Sequence, residues 1–275
     1  LNSKFYDNEA DGAGRGGVVY MDDSFFKSVN SEYTNNYALL NGGVFYGRRS
    51  NVKVVADTYT GNHANSGGGA FLILDEVLGE FYDTLFDGNY AFAEGSNTKG
   101  GAFLIDLYAR VIMMRTTLTN NYACFLGGAI STGSDGADLT LIDCDLSHNS
   151  LTEGFSAGGS IFFSEDKLLV VNSTFSDDAA ISDGGSIHIE SANQMAEIKG
   201  STFKRGSAYS GGAVKADSRT YLEVSDSTFY GMKGRFGGAL SFSRQSNGKM
   251  WRVSLGDNNV SKTGGAIKMA DAGSL

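Results

Sequence analysis

Proline is absent from the 275 residues, where ordinary usage would place about 14. Collagen, polyproline helices and Pro-rich linkers are thereby excluded. Two cysteines, Cys124 and Cys144, are too few for a disulfide framework, and no spacing of cysteine with the three histidines fits a zinc site. Both cysteines read as small apolar core fillers. The longest apolar runs, such as Ala70 to Leu74, fall far short of the about 20 residues of a membrane-spanning helix, so no transmembrane segment is expected. The N-terminus carries no basic-then-apolar signal segment, and the chain reads as mature or excised material. Basic residues are in deficit, 22 against 31 acidic ones, for a formal charge of −9. That sign disfavours nucleic acid and anionic membrane as partners. No window carries a sustained helical pattern.

What is abundant is glycine, 38 residues, about twice the usual share. Gly-Gly pairs, each followed by a small residue and then a large apolar one, begin at Gly16, Gly42, Gly68, Gly100, Gly127, Gly158, Gly184, Gly211, Gly237 and Gly264. The base interval of 26 or 27 residues is broken by two insertions, about Phe92 to Lys99 and Thr152 to Ala157. An aromatic or leucine mark precedes each pair: Phe5, Tyr33, Tyr59, Phe86, Leu118, Leu146, Phe175, Phe203, Phe229 and Leu255. Three residues after the mark stand Asn8, Asn36, Asn62, Asn89, Asn121, Asn149, then Asp178, Gly206 and Met232, and finally Asn258.

After each pair the chain alternates with period two, the signature of a strand. Val19, Phe45, Phe71, Phe103, Ile130, Ile161, Ile187, Val214, Leu240 and Ile267 are expected to point inward. Short strands repeating every 26 residues without helix predict an all-β parallel β-helix solenoid of about ten coils, each of three short strands, as one segment over 1–275. At about 4.8 Å per coil the rod is roughly 48 Å long. The asparagine column is expected to bond the main chain of adjacent coils at a corner, and the glycines to relieve a tight turn. Both columns are read as structural.

Gly-Gly-Ala followed by Ile, Leu or Val stands at Gly128-Ala129-Ile130, Gly212-Ala213-Val214, Gly238-Ala239-Leu240 and Gly265-Ala266-Ile267, with Phe-x-x-Asn at Phe5 to Asn8 and Phe86 to Asn89. Recurring along the whole chain, these motifs resemble the repeats of the chlamydial polymorphic outer membrane proteins, within the pectin-lyase-like superfamily of right-handed parallel β-helices. That resemblance implies a secreted or surface passenger acting in adhesion or as surface coat, and no catalytic residue.

The same wider fold hosts polysaccharide lyases and glycoside hydrolases, so sites must decide. Lyases need clustered carboxylates with an Arg or Lys base, and glycosidases two carboxyl groups at suitable separation. Adjacent aspartate pairs stand at Asp22-Asp23 and Asp177-Asp178. His63, His148 and His188 fall at different positions of the repeat, so no shared metal or proton relay is expected, and no cofactor. The competing reading, a carbohydrate-active enzyme or binding module, would rest on the corner loops with Asp177 or Asp178.

A column four residues before the mark reads Val29, Val55, Tyr82, Met114, Ile142 and Val171, then Lys199, Ser225 and Trp251. Alternation points it outward. A second outward column is read at Tyr20, Tyr46, Leu72, Leu104 and Phe162. Apolar stripes of this kind fit lateral packing against a sister rod or another surface protein. Tyr37, Tyr90 and Tyr122, beside the insertions, offer stacking faces for glycans or else an aromatic ladder. Sequons at Asn172-Ser173-Thr174 and Asn259-Val260-Ser261 are candidate glycosylation sites at outward positions. Uncapped coils at both ends lead to the expectation of a segment of a longer chain, or of end-to-end stacking. The leading expectation is a noncatalytic extracellular or cell-surface rod for adhesion, coat or fibril assembly.

Overall fold

The computed structural model describes residues 2–93, 98–133, 136–164, 166–190 and 195–270. Every regular element among them is a strand, and every pairing is parallel with the equivalent strand one repeat away. Each coil starts after its glycine pair with a strand of sheet I, whose ten members run from Val19–Asp22 to Ile267–Met269. It turns into sheet II, nine strands from Phe25–Val29 to Asn247–Trp251. It turns again into sheet III, ten strands from Lys4–Tyr6 to Ser254–Gly256, which carries the aromatic and leucine marks. A fourth row of two-residue strands, Glu9–Ala10 to Ser150–Leu151, follows before the next glycine corner. The expected three strands per coil thus gain a short fourth, and ten stacked strands enclose about nine full turns rather than ten.

Stacking in register turns each sequence column into a row. In sheet III the rings of Phe5, Tyr33, Tyr59 and Phe86 lie 4.6–4.8 Å apart and nearly parallel. Leu118 and Leu146 continue the row before Phe175, Phe203 and Phe229 resume it. The inward row of sheet I meets it edge-on, as where Phe71 and Phe86 lie 5.9 Å apart at 79°. From Phe45 to Leu240 that inward row is fully buried. Each such side chain contributes about 1.5–3 kcal/mol by leaving water.

The corner after sheet III is set by asparagine. The Asn62 main-chain N–H donates to Asn89 Oδ1 at 3.1 Å, and Asn62 Nδ2 donates to the same oxygen at 2.9 Å and to the Tyr33 carbonyl at 2.9 Å. The pattern repeats through Asn36, Asn89 and Asn121, all with no exposed surface. Asn8 joins it from the first coil and Asn149 from the other side, while Asn258, apart from the ladder, accepts from Met232 N–H and donates to the Phe229 carbonyl of the preceding coil. From Asn36 to Asn149, each amide side chain thus satisfies an N–H and a carbonyl of the preceding coil that burial would otherwise leave unpaired.

A second ladder at the corner between sheets II and III has no counterpart in the sequence reading. Ser3 N–H donates to Ser31 Oγ, Ser31 N–H to Asp57 Oδ1, Cys144 N–H to Ser173 Oγ, Ser173 N–H to Ser201 Oγ, and Ser201 N–H to Ser227 Oγ. Cys144 occupies a hydroxyl position there, its Sγ 3.3 Å from the Ile142 carbonyl, rather than acting only as core filler. Both cysteines are buried and free.

The glycine corner requires glycine twice over. Gly42 takes a left-handed φ of 66°, and a Cβ on Gly43 would sit 2.1 Å from the carbonyl oxygen of Gly69 in the next coil. The same two constraints recur at the corners from Gly16-Gly17 to Gly237-Gly238, so coils approach at backbone contact.

Asp178 interrupts the asparagine ladder. Its Oδ1 accepts from Asn149 N–H at 3.0 Å, but its Oδ2 is buried without a partner. Complete burial pushes its acid up to about 8. A raised carboxyl favours the folded chain while protonated, so its contribution is full below the ordinary value near 3.8 and is lost as pH climbs toward 8. Asp178→Asn supplies a neutral amide in the ladder position. The variant is expected to be more stable than the parent at pH 8 and above, by roughly 1–3 kcal/mol and with a correspondingly higher melting temperature, the difference shrinking toward pH 4. Equal melting curves at alkaline pH would contradict this.

Candidate functional site

Sheet II presents the first candidate surface. Val29, Val55, Tyr82, Met114, Ile142 and Val171 pair in direct register, followed by Lys199, Ser225 and Trp251. They alternate with buried Val54, Phe81, Met113, Leu141 and Val170 and so face outward. Contact along the row leaves the six apolar members half-buried. A parallel outward row reads Lys27, Lys53, Glu80, Ile112, Thr140, Leu169, Glu197, Glu223 and Lys249. Its middle is apolar and its ends are charged. Lys53 bridges to Glu80 at 3.3 Å with its ammonium 5.1 Å from the Tyr82 ring centre, and Lys249 lies 4.6 Å from the Trp251 ring centre.

The second outward column is corrected by the structure. Tyr20 is exposed, but Tyr46, Leu72 and Phe162 retain only 5–7% of their surface. The residue before each glycine pair forms its own ladder, Arg15, Asn41, Gly67, Lys99, Leu126, Ala157, Asp183, Ser210 and Phe236, folded over the outer face of sheet I. Arg15, for example, places its guanidinium 5.1 Å from the Tyr46 ring centre and donates to Tyr46 Oη at 3.2 Å. What alternation reads as a free stripe is the floor of a concave corner.

Between coils four and nine this corner opens into a cleft of about 240 Å³ lined by Phe125, Leu126, Phe155, Ala157 and Phe162, and by Asp183, His188, Glu190, Asp217 and Arg244. Register explains the convergence: Phe162, His188 and Lys215 occupy one row, and Glu190 and Asp217 the next. Phe155 comes from the Thr152 to Ala157 insertion and is 85% exposed. Arg244 reaches Glu190 at 3.4 Å and Asp217 at 3.6 Å. The Lys215 ammonium donates to Ser243 Oγ, whose hydroxyl donates to Asp217 Oδ1 at 3.2 Å. Burial lowers Lys215 and raises Asp183 from their ordinary values.

His188 is the unusual member. Its ring stacks on Phe162 at 5.4 Å, it is 5% exposed, and both ring nitrogens are buried without a hydrogen-bond partner. Burial pushes its pKa down to about 4, against the opposing field of Asp217. The imidazole is therefore neutral across the physiological range.

The remaining expectations sort themselves by geometry. His63 stands in the fourth row between Tyr37 and Tyr90, with ring centres 4.5 and 4.6 Å apart, and Tyr122 follows. These rings face one another as a ladder, so their flat faces are occupied by neighbours. His148 lies 3.9 Å from Asp177, which is clamped by Arg205. Asp22 and Asp23 are held by Arg48 and Arg49. Asn172 and Asn259 are both exposed. The insertion from Phe92 to Lys99 falls partly outside the described residues; Thr98 anchors its return by donating to the Ala91 carbonyl at 2.6 Å. No cluster of three or more metal-ligating side chains occurs among the described residues.

Sequence reasoning missed the cleft, having placed the competing enzymatic reading on the corner loops with Asp177 or Asp178. Its charged members come from four coils and share no motif. The available signals were the Thr152 to Ala157 insertion and the replacement of apolar residues by His188 and Lys215 in the outer column of sheet I.

A depressed histidine stabilises the fold while neutral, so its contribution is full above its ordinary value near 6.5 and is lost as pH falls toward 4. The His188 imidazole resonances are expected to stay in the neutral form down to about pH 4 in an NMR titration, and His188→Gln to flatten the acid limb of stability between those pH values. Titration of His188 near 6.5 would contradict its burial.

The chain is a parallel β-solenoid compatible with the β-helix superfamily, and comparison with protein-family models, curated proteins and solved structures gave no match.

Proposed function

We propose that the chain is a noncatalytic structural rod of an extracellular or cell-surface setting, working in adhesion, coat or fibril assembly through lateral association of its sheet II face with a second copy. The setting rests on the resemblance of the Gly-Gly-Ala and Phe-x-x-Asn repeats to surface passengers. The association rests on one observation, the unbroken row from Val29 to Val171 on a regular sheet face, flanked by Ile112 and Leu169.

Charge order supports a sister rod as the occupant. Two copies related by a two-fold axis along the strands, passing between the Ile112 and Thr140 rungs, run antiparallel. Lys27 then faces Glu223 of the second copy, Lys53 faces Glu197, and Arg110 faces Asp138. Tyr82 meets Val171 and Met114 meets Ile142 at the centre. Eight rungs of five residues give a face of about 38 by 16 Å, so the pair buries an area near the lower bound of roughly 1,200 Å² for a stable interface. Aligned sheets packing face to face is a common arrangement for such surfaces.

The alternative of a carbohydrate-active enzyme loses its original acids. Asp177 is committed to Arg205, and Asp178 is sealed in the corner ladder. The corner cleft keeps carboxylates of Asp183, Glu190 and Asp217 together in a solvent-accessible recess.

The rod is expected to sediment as a dimer or larger species at micromolar concentration, and Tyr82→Asp with Ile142→Asp to yield monomers with an unchanged melting temperature. Lys53→Glu alone should weaken association at least tenfold, and adding Glu197→Lys should restore it. An assembly state indifferent to all of these changes would contradict the reading.

A further inference from the structure

The corner cleft contains a charge that its own residues leave unbalanced. Glu190 and Asp217 face two cations, Arg244 and Lys215, by direct contact or through Ser243. The Asp183 carboxylate makes no hydrogen bond or ion pair among the described residues, although the residue is partly buried; only its main chain is bonded, to Gly158 and Ser156. One negative charge is left over. Beside it in the lining stands His188, whose two ring nitrogens are buried and unpartnered. Buried polar groups are rarely left so, and those that are call for a missing partner. A carboxylate only accepts hydrogen bonds, and a neutral imidazole offers one acceptor nitrogen. The partner that serves both is a donor with a positive charge.

The rest of the lining is apolar. Phe125, Leu126, Phe155 and Phe162 present rings and a branched chain without a polar atom. Phe155 projects from a loop and is almost wholly exposed, in a position that costs burial energy unless something covers it. Ring faces beside a cation site add attraction for an ammonium. A compact cleft with an apolar wall and a few convergent polar groups is the usual form of a small-molecule site.

We propose that this cleft binds a small organic monocation, a primary ammonium carried on an aromatic or other apolar body. The ammonium donates to Asp183 and to a ring nitrogen of His188. The body lies against Phe155 and Phe162. Lys215 and Arg244, balanced by Glu190 and Asp217, set the limit of one positive charge on the guest. The site lies in the angle between sheet I and the segment before the glycine pairs, away from the sheet II face, so occupancy and lateral association are independent properties.

The test uses 2-phenylethylamine as probe on the full chain at pH 7, with 2-phenylethanol and phenylacetate as the neutral and anionic counterparts, by calorimetry and by the His188 imidazole resonances. The amine is expected to bind and to shift the His188 signals, with the alcohol at least tenfold weaker and the acid not binding. Asp183→Asn should weaken the amine at least tenfold while leaving the alcohol unchanged. Phe155→Ala, on an exposed loop, should weaken both severalfold without altering the melting temperature. Equal binding of amine and alcohol, full affinity in Asp183→Asn, or no shift of His188 at saturating amine overturns the proposal. So does the absence of binding by the amine at tens of millimolar. Should Asp183→Asn fail to fold, the amine-to-alcohol ratio and Phe155→Ala decide alone.

Discussion

Everything in this molecule depends on one constraint: adjacent coils must meet in register at a corner where side-chain amides replace water. A parallel solenoid has no helix to satisfy turn groups and no hairpin to fix strand pairing. The Asn36 to Asn149 ladder meets both needs, because each oxygen receives the main chain and the side chain of the preceding coil. Glycine at the other corner lets the backbones close to contact. Slipping one coil by a single residue would invert the inside and outside of its strands. It would also break the ladder, so polar and apolar terms select the same register.

Surface chemistry follows from that registration. Because equivalent positions stack at one strand spacing, any residue type kept at one column becomes a line on the rod. The line from Val29 to Val171 is a consequence on sheet II. The corner cleft is the same principle with variation in place of repetition. Phe162, His188 and Lys215 are successive members of one row, and changing their chemistry from rung to rung creates a wall that passes from apolar to charged. A rigid rod carries such a site at little entropic cost, since its floor is already ordered by the sheet.

The glycine pairs, the marks and the asparagine column were legible because each repeats one residue type at a fixed interval, and the parallel solenoid followed from them. The hydroxyl ladder escaped notice because Asp57 and Cys144 stand among its serines, so no single residue type marks the column. The outer column of sheet I was misjudged for a different reason. Period-two alternation says which side of a strand a residue faces, but not whether another segment covers that side. Arg15, Asp183 and Phe236 belong to such a covering segment, and their approach is decided by the path of the chain around the glycine corner. The cleft needed that path to be known, since Asp183, Lys215 and Arg244 lie on three different coils.

The most direct test of the central claim is a distance along the rod. Spin labels at Glu32 and Thr228, in equivalent positions of sheet III, with Cys124 and Cys144 replaced, lie seven coils apart in the register described. Double electron–electron resonance is expected to give one narrow distribution centred near 34 Å, at about 4.8 Å per coil. A broad distribution, or a centre more than one coil spacing away, would contradict in-register stacking and the surfaces built on it.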